Sequence, residues 1–230
     1  VDAEGKVQPG VAESWETSED GLTWTFKLRK NSTWSNGTPV TAHDFEYSWK
    51  RTLTPETAAE YSYIMADIVG SSTKEIQENG VDGVGVKALD DYTLEVKLNR
   101  PVAYFAELVS FQVFFPQNQA FVESCGDAYG SAADKQLYNG PFTLTSWKME
   151  DQFTMEKNPN YWDAANVKLN KINTKVVKDT GAEVSLYEDG QIDRAILSSD
   201  YVDKYKDSKE LKTREVASIF MLQINGGNHK

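Results

Sequence analysis

The chain has 230 residues, 40% of them hydrophobic, 26% charged and 12% aromatic, which is too apolar for a disordered chain. No stretch reaches the ~18 uncharged apolar residues of a membrane-spanning helix, and the length permits one large domain or two small ones. With 24 basic against 35 acidic side chains the formal charge is −11, and no block of Lys and Arg offers the clustered cations that phosphate neutralisation needs, so nucleic acid is excluded as a partner.

In chain order, Pro9-Gly10 opens a turn before Val11-Ala12-Glu13-Ser14-Trp15, and Asp20-Gly21 is a second turn signal. Leu22, Trp24, Phe26 and Leu28 then alternate with polar residues, a period of two that predicts a strand with one buried face. Asn36-Gly37 is a further turn pair. Thr41 to Asp44 reads as a helix start, with the Thr41 hydroxyl able to accept from the amide of residue 44 and the Asp44 carboxylate in the first turn. Phe45 and Trp49 share a face of that helix, and Pro55 stops or bends it. Tyr61 to Met65 is expected as the next helix, and Gly80, Gly83 and Gly85 mark a loop. Tyr92, Leu94, Val96 and Leu98 repeat the strand pattern, and Tyr104 to Phe115 is the most apolar stretch.

After Asn139-Gly140-Pro141, Phe142, Leu144 and Trp147 suggest a strand with Phe153 to Met155 as its partner. Asn158 to Trp162 is a turn carrying two large rings, and Ile172 to Val177 is a β-branched strand. Thr180-Gly181-Ala182-Glu183 repeats the capping pattern, with Gly190 suited to the helix stop. A short strand over Ile192–Leu197, a helical turn over Asp200–Tyr205 and an apolar strand over Ser218–Ile224 complete the chain. The order is mixed α and β, without the regular βαβ spacing of a doubly wound sheet.

Chemistry-bearing residues are sparse. Cys125 is the single cysteine, with no neighbouring cation or histidine to activate it, and it excludes both an internal disulfide framework and a cysteine-pair zinc site. His43 and His229 stand far apart, so no metal and no cofactor is expected. Asp90-Asp91 and Asp189 with Asp193 are paired only along the chain, where turn and solvated-face roles account for them; a glycosidase needs its carboxylates across a cleft at about 5–10 Å. Trp15, Trp24, Trp34 and Trp49 read as core rings. Asn31-Ser32-Thr33 and Asn36-Gly37-Thr38 match the N-glycosylation triplet by chance, and no phosphate loop of the G-x-x-x-x-G-K type occurs. The first five residues are no signal peptide and no lipid-attachment cysteine follows them; the end at Asn225-Gly226-Gly227 looks like a cut loop, so both ends are expected to be trimmed.

Several long motifs lie in one order. Val11-Ala12-Glu13-Ser14-Trp15, Asp20-Gly21-Leu22-Thr23-Trp24-Thr25-Phe26-Lys27-Leu28-Arg29 and Trp34 to Phe45 are followed by Val86 to Leu94, Pro101-Val102-Ala103-Tyr104-Phe105 and Tyr138-Asn139-Gly140-Pro141-Phe142. Lys157 to Asp163 and Gly190-Gln191-Ile192-Asp193 come last. Together, over nearly the whole chain, they resemble the oligopeptide-binding proteins of ABC peptide importers, extracellular solute-binding protein family 5, and within it the Gram-positive peptide and pheromone receptors.

The resemblance implies a mixed α/β (α+β) fold: part of a periplasmic-binding-protein-like class II clamshell, with residues 8–137 as the small insert domain and 138–230 as part of the first lobe. The opposing lobe, which carries the aspartate for the peptide's amine, is absent, so this chain alone is expected to bind peptide weakly and to leave apolar surface uncovered. By the same resemblance, ligand contacts fall at Tyr61 and Phe111 on the small domain, at Ile196, Leu197 and Ser198 on the lobe, and at Gln223 in the last strand. Relatives often carry Tyr-Asn where this chain has Ile196-Leu197. The implied protein is no enzyme. It is a monomeric, lipid-anchored extracytoplasmic receptor that closes on an oligopeptide and delivers it to an ABC importer permease. Other jobs on the same fold are capture of a signalling peptide, a nickel complex or an oligosaccharide; a carboxylate-based glycosidase is the rival outside it.

Overall fold

In the computed structural model, which describes residue 2 and residues 4–213, the two alternating runs become neighbouring strands. Strands β1 (Ala12–Thr17), β2 (Thr23–Leu28), β3 (Val86–Asp90) and β4 (Thr93–Lys97) form an antiparallel sheet in the order β1-β2-β4-β3. Trp24 lies opposite Val96 and Phe26 opposite Leu94, so the period of two places all four on one face. Those side chains, with Leu28 and Leu98, are buried, each withdrawing apolar area worth about 1.5–3 kcal/mol. The β1–β2 turn needs Gly21 at φ +72°, with Asp20 Oδ1 accepting from the Leu22 amide at 3.0 Å.

Helix α1 (Ala42–Leu53) adds Ala42, Trp49 and Leu53 to the same core. Its start is the expected capping box of Thr41 and Asp44, though the Thr41 hydroxyl makes no separate cap bond. The Asp44 amide donates to the Thr41 carbonyl at 3.1 Å, and the Asp44 carboxylate accepts from the Thr41 amide at 2.8 Å and from Trp34 Nε1 at 3.3 Å. At the far end of the core, Trp49 Nε1 donates to the Phe114 carbonyl at 2.8 Å, and the two rings meet edge to face at 5.0 Å.

Tyr61–Met65 is not a helix of the α type. After the single turn Pro55–Thr57 the chain passes through Ala58 at φ +49°, and only a 3₁₀ turn, Ser62–Met65, follows. Met65 and Ile68 are fully buried; they anchor this tight turn while Tyr61 and Tyr63 face outward. Three short helices lie where the sequence pattern is weak: α2 (Thr73–Asn79), capped by Ser72, then α3 (Phe105–Leu108) and α4 (Gln119–Cys125), capped by Asn118.

A second antiparallel sheet contains β5 (Phe142–Lys148), β6 (Gln152–Lys157) and β7 (Lys171–Lys175), in that order. Leu144, Met155 and Ile172 are opposite one another, so its apolar residues share a face, and none of the three is fully buried. The two sheets belong to one contact unit, Val1–Lys175, and the motif turns fasten them. Asn160 Nδ2 donates to the Ser35 carbonyl at 2.9 Å, Thr33 Oγ1 donates to the Asn160 carbonyl at 2.7 Å, and the Ser35 amide donates to the Tyr138 carbonyl at 2.6 Å. Asn158 is 0% exposed; it donates to the Gly140 carbonyl at 2.9 Å and accepts from the Asn160 amide at 3.0 Å. The Arg29 guanidinium lies 4.0 Å from the Trp162 ring centre.

The second unit, Val176–Lys230, contains α5 (Thr180–Glu188) and α6 (Ser199–Tyr205) among the described residues. Asp179, not Thr180, caps α5, accepting from the Ala182 amide at 2.8 Å. Gly190 supplies the left-handed stop at φ +67°. Among the described residues Ile192–Leu197 joins no strand ladder, and the Ile196 amide donates to Glu183 Oε1 at 3.0 Å. The expected strand Ser218–Ile224 lies outside the described residues.

Candidate functional site

The 3₁₀ turn at Ser62–Met65 and the bend between α3 and the next turn, Gln112–Phe114, bring together residues far apart in sequence. Tyr61 and Phe111 meet edge to face with ring centres 5.3 Å apart. Tyr63 joins them, its ring centre 6.1 Å from that of Tyr61. All three rings are exposed, Tyr61 by 43%, Phe111 by 37% and Tyr63 by 68%, whereas their chain neighbours Met65, Phe105 and Phe114 are buried. The anchors hold the backbone while the rings form a shelf open to solvent. Tyr63 carried no signal in the sequence beyond its neighbour Tyr61.

The other expected contacts lie in the second unit. Ile196 is 61% exposed, and Ser198 stands at the start of α6 with its Oγ buried and without a hydrogen-bond partner among the described residues. Ile196 and Leu197 line a groove of about 870 Å³ together with Tyr187, Asp193, Arg194 and Tyr205. On its rim Tyr187 Oη donates to Glu210 at 2.7 Å, and Glu188 accepts from both Lys204 and Tyr205. Those two hydrogen bonds, that of Lys204 first, hold the Glu188 carboxyl below its ordinary value. Gln223 lies outside the described residues.

The remaining candidates have structural roles. Asp90 accepts from the Tyr92 amide at 2.8 Å, which depresses its pKa and spends it on the β3–β4 turn. His43 is an exposed residue in the first turn of α1, its Nε2 3.4 Å from Asp91 Oδ1. Among the described residues no group of three or more His, Cys, Asp or Glu could hold a metal ion, and no helix is long and apolar enough to cross a membrane. Trp24, Trp34 and Trp49 are core rings as expected, while Trp15 is only half-buried, at the edge of an apolar cavity of about 420 Å³ lined also by Phe26, Phe45 and Trp162.

Residues 6–229 match the family described as bacterial extracellular solute-binding proteins, family 5 Middle. The oligopeptide-binding protein OppA of Bacillus subtilis is 36% identical over 98% of this chain and 42% of its own length. Among solved structures, the substrate-binding domain of an oligopeptide ABC transporter from Bacillus anthracis is 45% identical. It superposes with a TM-score of 0.83 over 89% of this chain and 42% of that one. Listeria monocytogenes OppA bound to peptide is 39% identical, with a TM-score of 0.81 over 89% of this chain and 43% of that one. The chain therefore belongs to the family 5 extracellular solute-binding proteins, and its mixed helix–sheet fold is theirs. It spans less than half the length of the relatives it matches.

Proposed function

We propose that this chain is part of an extracytoplasmic receptor that captures oligopeptides and delivers them to an ABC importer permease. One observation carries the reading: in a chain of this family, Tyr61 and Phe111 meet as exposed rings on buried anchors. Residues 8–137 are the small insert domain, holding the four-stranded sheet and the ring shelf. Residues 138–230 are part of the first lobe, holding the three-stranded sheet and the segment Ile196–Ser198. The receptor works by binding alone. An extended peptide pairs through its main chain, which gives affinity with little regard to sequence, and pockets receive its side chains. Contacts made to both lobes favour the closed state, so ligand shifts the hinge equilibrium. The receptor acts as a monomer, tethered outside the membrane by a lipid in a Gram-positive cell.

Calorimetry of the intact receptor with peptide pools, a nickel complex and oligosaccharides tests this. Heat from peptides supports the reading; heat only from nickel or a sugar refutes it.

A further inference from the structure

We propose that the shelf of Tyr61, Tyr63 and Phe111 receives a cationic side chain, Lys or Arg, of the bound peptide; this rests on the peptide-capture reading and adds a charge preference to it. The rings present an uncommon surface. The Tyr61 ring centre lies 5.3 Å from that of Phe111 and 6.1 Å from that of Tyr63, and all three rings remain exposed although the turn beside Tyr61 buries Met65 completely. An aromatic face carries negative charge density, and Lys or Arg within about 6 Å of its centre is attracted to it.

The charges on the carrying segments point the same way. From Thr54 to Ala66 the charged residues are Glu56 and Glu60, and from Val102 to Pro116 the only one is Glu107; neither segment has a Lys or Arg. All three glutamates are exposed, and Glu60 adjoins Tyr61 directly. An aromatic shelf carried on segments whose charged residues are all acidic suits a cation that keeps its charge partly hydrated while its aliphatic stem covers the rings. An acidic side chain at the same place meets repulsion from the negative ring faces. A neutral apolar side chain gains the rings and nothing from the glutamates. This protein uses the same contact internally, with Arg29 at 4.0 Å from the Trp162 ring centre and Arg51 at 5.4 Å from that of Tyr129.

The test is calorimetric titration of the intact receptor with alanine pentapeptides carrying Lys, Met or Glu at each position in turn. Met matches the length of the Lys stem without its charge. At one position Lys is expected to bind about three- to thirtyfold tighter than Met, with Glu weakest. Tyr63→Leu, at the most exposed ring, and separately Tyr61→Leu are expected to bring the Lys-over-Met ratio at that position towards one. The proposal is overturned if Lys has no advantage at any position, if Met or Glu binds best, or if the advantage survives both substitutions. Binding of the peptides without a charge preference defeats this proposal and leaves peptide capture standing. No binding by any peptide of the series defeats both.

Discussion

Replacing Asn158 by Ala tests the fastening between the two sheets. The side chain is 0% exposed and spans two backbone groups, the Gly140 carbonyl at 2.9 Å and the Asn160 amide at 3.0 Å. Ala leaves both without a partner, at about 1–3 kcal/mol each when water cannot reach them. Asn160 is exposed and Gly140 half-buried, so partial solvation puts the sum at about 2–4 kcal/mol. With a urea slope of about 2 kcal/mol/M this lowers the unfolding midpoint by about 1–2 M. The six tryptophans, from Trp15 to Trp162, all lie within Val1–Lys175, so their fluorescence follows this unit alone. Asn158→Asp keeps an acceptor for the Asn160 amide but sets a carboxylate oxygen against the Gly140 carbonyl. Its deficit at neutral pH should shrink as acid protonates the carboxyl and restores a donor. A midpoint shift below about 0.3 M for Ala, or an Asp variant with the same deficit at every pH, refutes this account.

Other outcomes follow from single sites. Burial pushes the Asp44 carboxyl above its ordinary value, against the opposing pull of its hydrogen bonds from Thr41 and Trp34. The folded state therefore holds that proton to higher pH than the unfolded state does. This contribution to stability is present below the ordinary carboxylate pKa, about 3.9, and is lost as pH rises through the elevated value. The difference in urea midpoint between wild type and Asp44→Asn should change across that range; a constant difference from about pH 3.5 to 7 would contradict it. Gly70 sits at φ +69°, and a Cβ there falls 2.4 Å from the Gly83 carbonyl oxygen. Gly70→Ala should therefore cost more than about 1 kcal/mol by the same fluorescence measurement, and an unchanged midpoint would be inconsistent with that clash. The 230-residue chain alone is expected to bind peptide far more weakly than the intact receptor, and micromolar or tighter affinity for it in calorimetry would show that this part suffices.

The core was the legible part of this molecule. Alternation in Leu22–Leu28 and Tyr92–Leu98 foretells β2 and β4 because the buried face of each is unbroken, and the Thr41–Asp44 start marks α1. Strand β3 escapes the pattern because only Val86 in it is buried, and α2 escapes because Ile76 is its one buried residue. Neither offers a repeat to count. The reverse failure occurs at Tyr61–Met65, where an aromatic run suggests a helix but Pro55 and the left-handed Ala58 confine it to a 3₁₀ turn. At Ile192–Leu197, β-branched character suggests a strand; among the described residues no ladder forms there, and the Ile196 amide donates to Glu183 of α5. Pairing of Tyr61 with Phe111 depends on how two loops cross, which no local spacing encodes. Only the resemblance to the family marked those positions.

The link from Ser35 to Asn160 closes a loop of 125 residues, and this bears on where the chain can be divided. The boundary proposed for the small insert domain falls at residue 137, and the groups that satisfy Thr33 and Ser35 arrive beyond it, at Tyr138 and Asn160. Excision at residue 137 removes them, and also the ring on which Arg29 stacks. The shortest stretch that keeps every partner of the Trp34–Gly37 turn and completes the second sheet runs to Lys175. Because that closure joins contacts so distant along the chain, its entropy cost is met late, and the turn's bonds to Tyr138 and Asn160 should form only after the first sheet.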